Sequence, residues 1–173
     1  MAGLEIVKYP DSRLREVCAP VEAVDDRLRQ LLNNMAETMY DAPGVGLAGP
    51  QVGVMSRIIV VDVGGASENR DTVSRLYKLI NPELVSHEGK IDSEEGCLSI
   101  PGITETISRY SSVVVEAIDE RGKEVSIEAE GFLAIALQHE IDHLDGVLFI
   151  DHLSRLKREI VKAKAKKYTK SHS

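Results

Sequence analysis

Residues 131–146 read Gly131-Phe132-Leu133-Ala134-Ile135-Ala136-Leu137-Gln138-His139-Glu140-Ile141-Asp142-His143-Leu144-Asp145-Gly146, and the placement of this stretch decides the rest. Wound as a helix, it puts Phe132, Ile135, Ala136, His139, Glu140 and His143 on one face and Leu133, Leu137, Ile141 and Leu144 on the other. A helix apolar on both sides is central rather than peripheral, and the flanking glycines mark one element of about four turns. Two histidines four apart can direct both imidazoles at one metal ion, with Glu140 beside the first placed to take a proton from activated water. Burying two imidazoles with a carboxylate is costly unless something compensates, and a metal does. The pattern is that of a metal-dependent hydrolase.

Composition bounds what this helix belongs to. A chain of 173 residues with 43% hydrophobic positions, no Trp and two Phe suits one domain with an aliphatic core. Residues 1–173 are expected to form a single catalytic domain, with 154–173 a basic C-terminal helix or tail. Residues 1–8 lack the charged start and apolar run of a signal peptide, and no stretch approaches the roughly 18 apolar residues of a membrane span. The expected location is cytoplasmic, away from membranes. In a reducing compartment neither Cys18 nor Cys97 is expected to form a disulfide, and Cys18, between Val17 and Ala19, reads as a small buried residue. The net charge of −7 is unevenly spread: residues 155–173 hold eight basic side chains against Glu159, a sum of +7 on a body of −14. An acidic body disfavours general nucleic-acid binding, whereas the basic segment can touch RNA or another anionic partner, or simply be a solvated, frayed end.

From the start of the chain, 10–24 reads as an arm packed on the body, without a motif. Leu28, Leu31, Leu32, Met35 and Met39 then recur at helical spacing behind an Asp25 or Asp26 cap, predicting a helix to about residue 40. Residues 44–53, GVGLAGPQVG, hold four glycines, so the backbone turns tightly or lies close to something. The spacing fits neither a P-loop nor a dinucleotide fingerprint, and Gln51 is the one long polar side chain, able to donate to an oxyanion. Residues 57–63 read as a strand, 64–74 as a polar loop, 76–81 as a strand ended by Pro82, and 84–91 as further extended chain. In 94–102, EEGCLSIPG, Cys97 is open to three uses: buried thiol, nucleophile or metal ligand. A nucleophile needs a histidine base, and the best histidines are already paired; as a third ligand Cys97 completes a Cys-His-His set that leaves one position for water. Residues 112–119 and 124–130 form a hairpin around Glu120-Arg121-Gly122-Lys123 that leads into the histidine helix. The expected class is α+β, mostly antiparallel strands around a central metal-binding helix, with an N-terminal and a C-terminal helix.

Taken together, GVGLAGPQVG, EEGCLSIPG and QHEIDHLDG resemble the peptide deformylase family in order and separation, over all but the basic tail. The resemblance implies that Cys97, His139 and His143 bind one divalent metal, usually ferrous iron in the cell and replaceable by zinc, nickel or cobalt. It implies Glu140 as general base and acid, and Gln51 with the Leu98 backbone amide as oxyanion donors. Gly46 is implied to bond the substrate backbone, and Val45, Phe132, Ile135 and Ala136, with His139, to wall a methionine pocket. The implied substrates are N-formylmethionyl nascent polypeptides, which makes the ribosome a partner for the basic helix. Gly49 departs from the alanine common in the family, which would loosen its loop slightly. Two rivals are an HExxH metallopeptidase, whose usual third ligand is a His or Glu further along and against which the downstream His152 and the absence of an HExxHxxGxxH continuation argue, and a structural metal domain closed by Cys18, His87 or His152. Asp142, facing away from the metal on a buried helix, needs a cation, and Arg109 is the expected partner.

Overall fold

The computed structural model describes residues 3–64 and 75–172; apart from Gly64, the loop expected at 64–74 lies outside the described residues. Asp25 caps α1 (Asp26–Asp41) by accepting from the Leu28 N–H. The strands are β1 (Gly46–Ala48), β2 (Ile58–Val61), β3 (Tyr77–Glu88), β4 (Ile91–Cys97), β5 (Ile100–Arg109), β6 (Ser112–Ile118) and β7 (Glu124–Glu130). Helix α2 (Gly131–Leu144) follows β7 with no intervening residue, and α3 (Arg155–Ser171) ends the chain. Every strand pair is antiparallel: one sheet runs β1-β2-β3-β6-β7, and β4 and β5 form a separate two-stranded ribbon. This is the expected α+β class.

The sheet explains why Ile58-Ile59-Val60-Val61 is an unbroken apolar run. Strand side chains alternate, so Ile59 and Val61 meet Leu137, Ile141 and Leu144 of α2, while Ile58 and Val60 meet Leu32, Met35 and Met39 of α1. Helix α2 thus lies on one face of β1–β3 and α1 on the other. A third apolar cluster joins β5 (Ile100, Ile103, Ile107) to Phe149 and Ile150, to Val161 and Ala165 of α3, and to Val7, Tyr9 and Leu14 of the N-terminal arm. The basic segment is therefore a packed helix through Ser171 rather than a frayed end. No helix among the described residues is long and apolar enough to cross a membrane.

Two boundaries differ from expectation. The strand expected over 57–63 is confined to Ile58–Val61. The strand expected to stop at Pro82 continues to Glu88, with a register shift between Ile80 and Glu83. Proline lacks the N–H a ladder needs, and a bulge absorbs it without ending the strand. The neighbouring Asn81 sits at φ +52°, donates from its side chain to Val21 O at 2.9 Å and accepts from Val21 N at 2.8 Å. The ribbon β4–β5 had no predicted boundaries because Gly96, Pro101 and Gly102 interrupt its alternation. Replacing Asn81 with Ala removes both bonds and places an alanine in a left-handed conformation, a loss of about 2–3 kcal/mol. Denaturant unfolding should show a lower midpoint at unchanged slope, with Asn81→Gly less affected because glycine tolerates the backbone angle.

Candidate metal centre

The α2 face predicted to carry the chemistry turns toward the β4–β5 ribbon. There Cys97 Sγ, at the end of β4, meets His139 and His143, each residue offering one ligand atom within 4.8 Å of the others. The Sγ lies 3.5 Å from His143 Nε2, and the two imidazoles stand edge to face with centroids 5.1 Å apart. His139 Nδ1 donates to Glu95 Oε1 at 2.9 Å, which leaves Nε2 with its lone pair. The Phe149 ring stacks on the same imidazole at 6.0 Å. One thiolate and two neutral imidazoles suit a borderline divalent ion such as zinc or ferrous iron. Among the described residues, Glu140 Oε1 and His143 Nδ1 are buried with no hydrogen-bond partner, and a carboxylate oxygen so placed at such a centre fits the group the residues imply.

A cavity of about 440 Å³ opens over this centre. Val45, Gly46, Gln51, Cys97 and Leu98 line one part of it, and Phe132, Ile135, Ala136, His139 and Glu140 another. His143, 1% exposed, joins the ligand cluster. All eleven residues singled out in the sequence therefore converge. Gln51 is held by the Ala48 N–H, which donates to its Oε1 at 2.9 Å, so its amide nitrogen points to Ser99 Oγ (3.2 Å) and Cys97 Sγ (3.5 Å). Gly46 is required by proximity, since a Cβ there would come within 2.8 Å of Glu140 Cδ. Gly49 does not loosen its loop: a Cβ would meet the carbonyl oxygens of Val54 and Ser56 at 2.6 and 2.7 Å.

Charge at the centre is set by burial and close partners. Burial pushes the Glu140 carboxyl up to about 7, against the pull of His139 and Arg109. Burial alone would lower His139, but Glu140, Cys97 and Glu95 favour positive charge there and hold it well above its ordinary value, so a metal ion at Nε2 would take the place of a proton. His143 is pushed well below, by burial and then by the positive charge of His139 and Arg109. The expected Arg109–Asp142 pair forms, at 2.7 Å. Its larger partner was not foreseen: Arg109 grips Glu95 with two parallel bonds of 2.8 and 2.9 Å. The strand alternation of Ser93-Glu94-Glu95, in which Glu94 is exposed and Glu95 buried, was the available signal. The possible fourth ligands lie elsewhere. His152 bonds Asp142 at 2.9 Å, His87 stacks on Tyr110 at 3.8 Å, and Cys18 is buried among α2 and the sheet.

Comparison with known proteins decides between the readings this geometry allows. Residues 3–159 match the profile of polypeptide deformylase. The chain belongs to that family. The peptide deformylase of Thermodesulfovibrio yellowstonii is 52% identical over 166 residues, 96% of this chain and 98% of the relative. Among solved structures, the Legionella pneumophila peptide deformylase has a TM-score of 0.88 at 45% identity, covering 98% of this chain and 97% of its own. An Ehrlichia chaffeensis peptide deformylase in complex with actinonin gives a TM-score of 0.90 at 43% identity, covering 97% and 98%. Deformylase membership disfavours both rivals, and the downstream His152 is engaged by Asp142 rather than by the histidine pair.

In this deformylase, Glu95 gives acid stability a definite sign. Burial would raise its carboxyl, but Arg109 and then His139 hold it down to about 2 from 4.5. A depressed folded value contributes stability that is fully present above the unfolded value and disappears as pH falls from about 4.5 toward 2. The amount is of order 3 kcal/mol. Acid unfolding followed by circular dichroism should show that slope in the wild type and a shallower one in Glu95→Gln, which should also be less stable at neutral pH.

Proposed function

We propose that this chain hydrolyses the N-formyl group from the amino-terminal methionine of newly made polypeptides, releasing formate and a free amine. The observation that carries the reading is the convergence of Cys97, His139 and His143 beside a cavity that Cys97, His139 and Glu140 line. Cys97, His139 and His143 would hold one divalent metal, ferrous iron in the cell, with zinc, nickel or cobalt as substitutes. Bound there, the ion supplies Lewis acidity that makes water nucleophilic near neutral pH and polarises the formyl carbonyl.

The remaining steps belong to the chain itself. Glu140, with its carboxyl lifted to about 7, takes the proton from the attacking water and returns it to the departing amine. Gln51 Nε2 and the Leu98 N–H donate to the oxygen that gains charge as the tetrahedral species forms, a contribution of about 3 kcal/mol for such a donor. Gly46 lets β1 lie against Glu140 and offers its backbone to the substrate. Val45, Phe132, Ile135 and Ala136, with His139, receive the methionine side chain; Phe132 is 44% exposed and so can meet a ligand at the mouth.

We read residues 1–173 as one catalytic unit acting in the cytoplasm, where nascent chains emerge, and 154–173 as its basic tail. The outer face of α3 sets exposed Leu156 and Ile160 among basic residues, a surface suited to the anionic ribosome. Because Val161 and Ala165 are buried against β5, changing exposed charge is a cleaner test than deletion. Reversing Lys164, Lys166 and Lys167 to Glu should weaken ribosome co-sedimentation while sparing activity on small peptides; unchanged binding rejects the docking role.

Formate release from a formyl-Met peptide by anaerobically prepared protein tests the reaction. Glu140→Gln should keep its metal and lose at least about a hundredfold in rate. Cys97→Ser should lose metal affinity itself, because a neutral hydroxyl replaces a thiolate. Full metal content in Cys97→Ser, together with a formyl thioester on wild-type Cys97 during turnover, would establish a nucleophilic cysteine instead.

A further inference from the structure

Part of the cavity wall has no role in the scheme above. Gly102, Ile103 and Thr104 of β5 line the cavity but are not among the residues assigned to the methionine side chain. This wall carries an unusual joint. Gly102 lies at φ +80°, and a Cβ built on it would come within 2.6 and 2.7 Å of ring atoms of Tyr168 in α3. The aromatic ring occupies the room that a side chain at 102 would need. Tyr168 is itself backed by His172, whose ring stacks on it at 3.9 Å and 11°. Helix α3 is held to β5 by buried Val161 and Ala165 and by the Lys157–Glu105 ion pair at 2.9 Å.

A glycine in a strand contributes no side chain to pack and leaves its backbone free to move. An aromatic ring laid over such a glycine restores the missing contact. We propose that Tyr168 is a positioning residue for the peptide that follows the formylated methionine: through Gly102 it holds the 102–104 wall in place. The proposal rests on the deformylase reading. Without the ring, the wall must be ordered each time a peptide binds. That cost falls on the bound ground state and the transition state alike, so it raises KM and leaves kcat unchanged. A substrate too short to reach the wall does not feel it.

The test compares formyl-Met amide with a formyl-Met tripeptide on the metal-loaded enzyme. Tyr168→Ala should raise KM for the tripeptide roughly threefold to tenfold, with kcat within about twofold and the short substrate unaffected. Tyr168→Phe should behave as wild type. Circular dichroism reports whether α3 survives in Tyr168→Ala. If it does not, Gly102→Ala carries the test from the other side of the joint, because its new methyl group must displace the ring and alanine is strained at φ +80°, and the same length-dependent rise in KM is expected. An unchanged tripeptide KM in a variant that keeps α3, or an equal fall in kcat on both substrates, overturns the proposal. Failure of the wild type to release formate from either substrate sinks the deformylase reading itself.

Discussion

The ion pair between Arg109 and Glu95 is the constraint on which the rest of the centre depends. Their side chains are 3% and 5% exposed, so each would carry a large desolvation penalty alone. Removing either partner leaves the other charged and buried, so the two must stay together for the ribbon to keep its shape. Glu95 stands on β4 and Arg109 at the end of β5, so the pair joins the two strands of the ribbon. Each then reaches α2: Glu95 to His139, and Arg109 to Asp142 three residues on. Because residues three apart share a helix face, both anchors pull the same side of α2 toward the ribbon. Cys97 follows Glu95 by two residues, and it is through this anchoring that a thiol on a strand and two imidazoles on a helix come together.

Close approach on the other side of the cavity depends on what is missing. Any side chain at Gly44 would meet Leu98, and any at Gly46 would meet the carboxylate arm of Glu140. The glycines therefore let β1 and its entering loop lie directly on the carboxylate proposed as general base and on the turn that carries the Leu98 amide. Low solvent access follows, and with it the upward shift of Glu140 toward neutrality. A carboxyl raised toward neutrality can both accept and return a proton, so the packing that excludes water would also suit Glu140 to the proposed role of base.

Much of this was legible in the sequence because it rests on local periodicity. The two-sided apolar pattern of 131–146 required a central helix, and the spacing of His139, Glu140 and His143 required a shared face. The 112–130 hairpin was readable for the same reason. What escaped was non-local. Glu95 is chemically indistinguishable from Glu94 in the string EEGC; only the pleat, and an arginine fourteen residues away, make one buried and the other exposed. Pro82 suggested the end of a strand because proline removes a ladder donor, yet a bulge and the doubly bonded Asn81 carry the chain through. Gly49 suggested slack, whereas two carbonyl oxygens press against it.

The clearest case of hidden positioning is residues 7–9, just before the arm read at 10–24. The Val7 N–H donates to Gln51 O at 2.7 Å, the Tyr9 N–H to Ser99 O at 2.8 Å, and Lys8 Nζ to Leu98 O at 2.9 Å. Three consecutive residues thereby tie together the two segments that supply the proposed oxyanion donors, the 49–52 turn and the 98–99 turn. Side chains at this crossing are ordinary; Val7 and Tyr9 are buried for their apolar surface, and two of the three ties are backbone to backbone. Electrostatic stabilisation works only if donors are fixed before charge develops, since donors that must reorganise give back what they gain. The donors are recognisable from residue type, but their fixity comes from a segment whose sequence carries no chemistry.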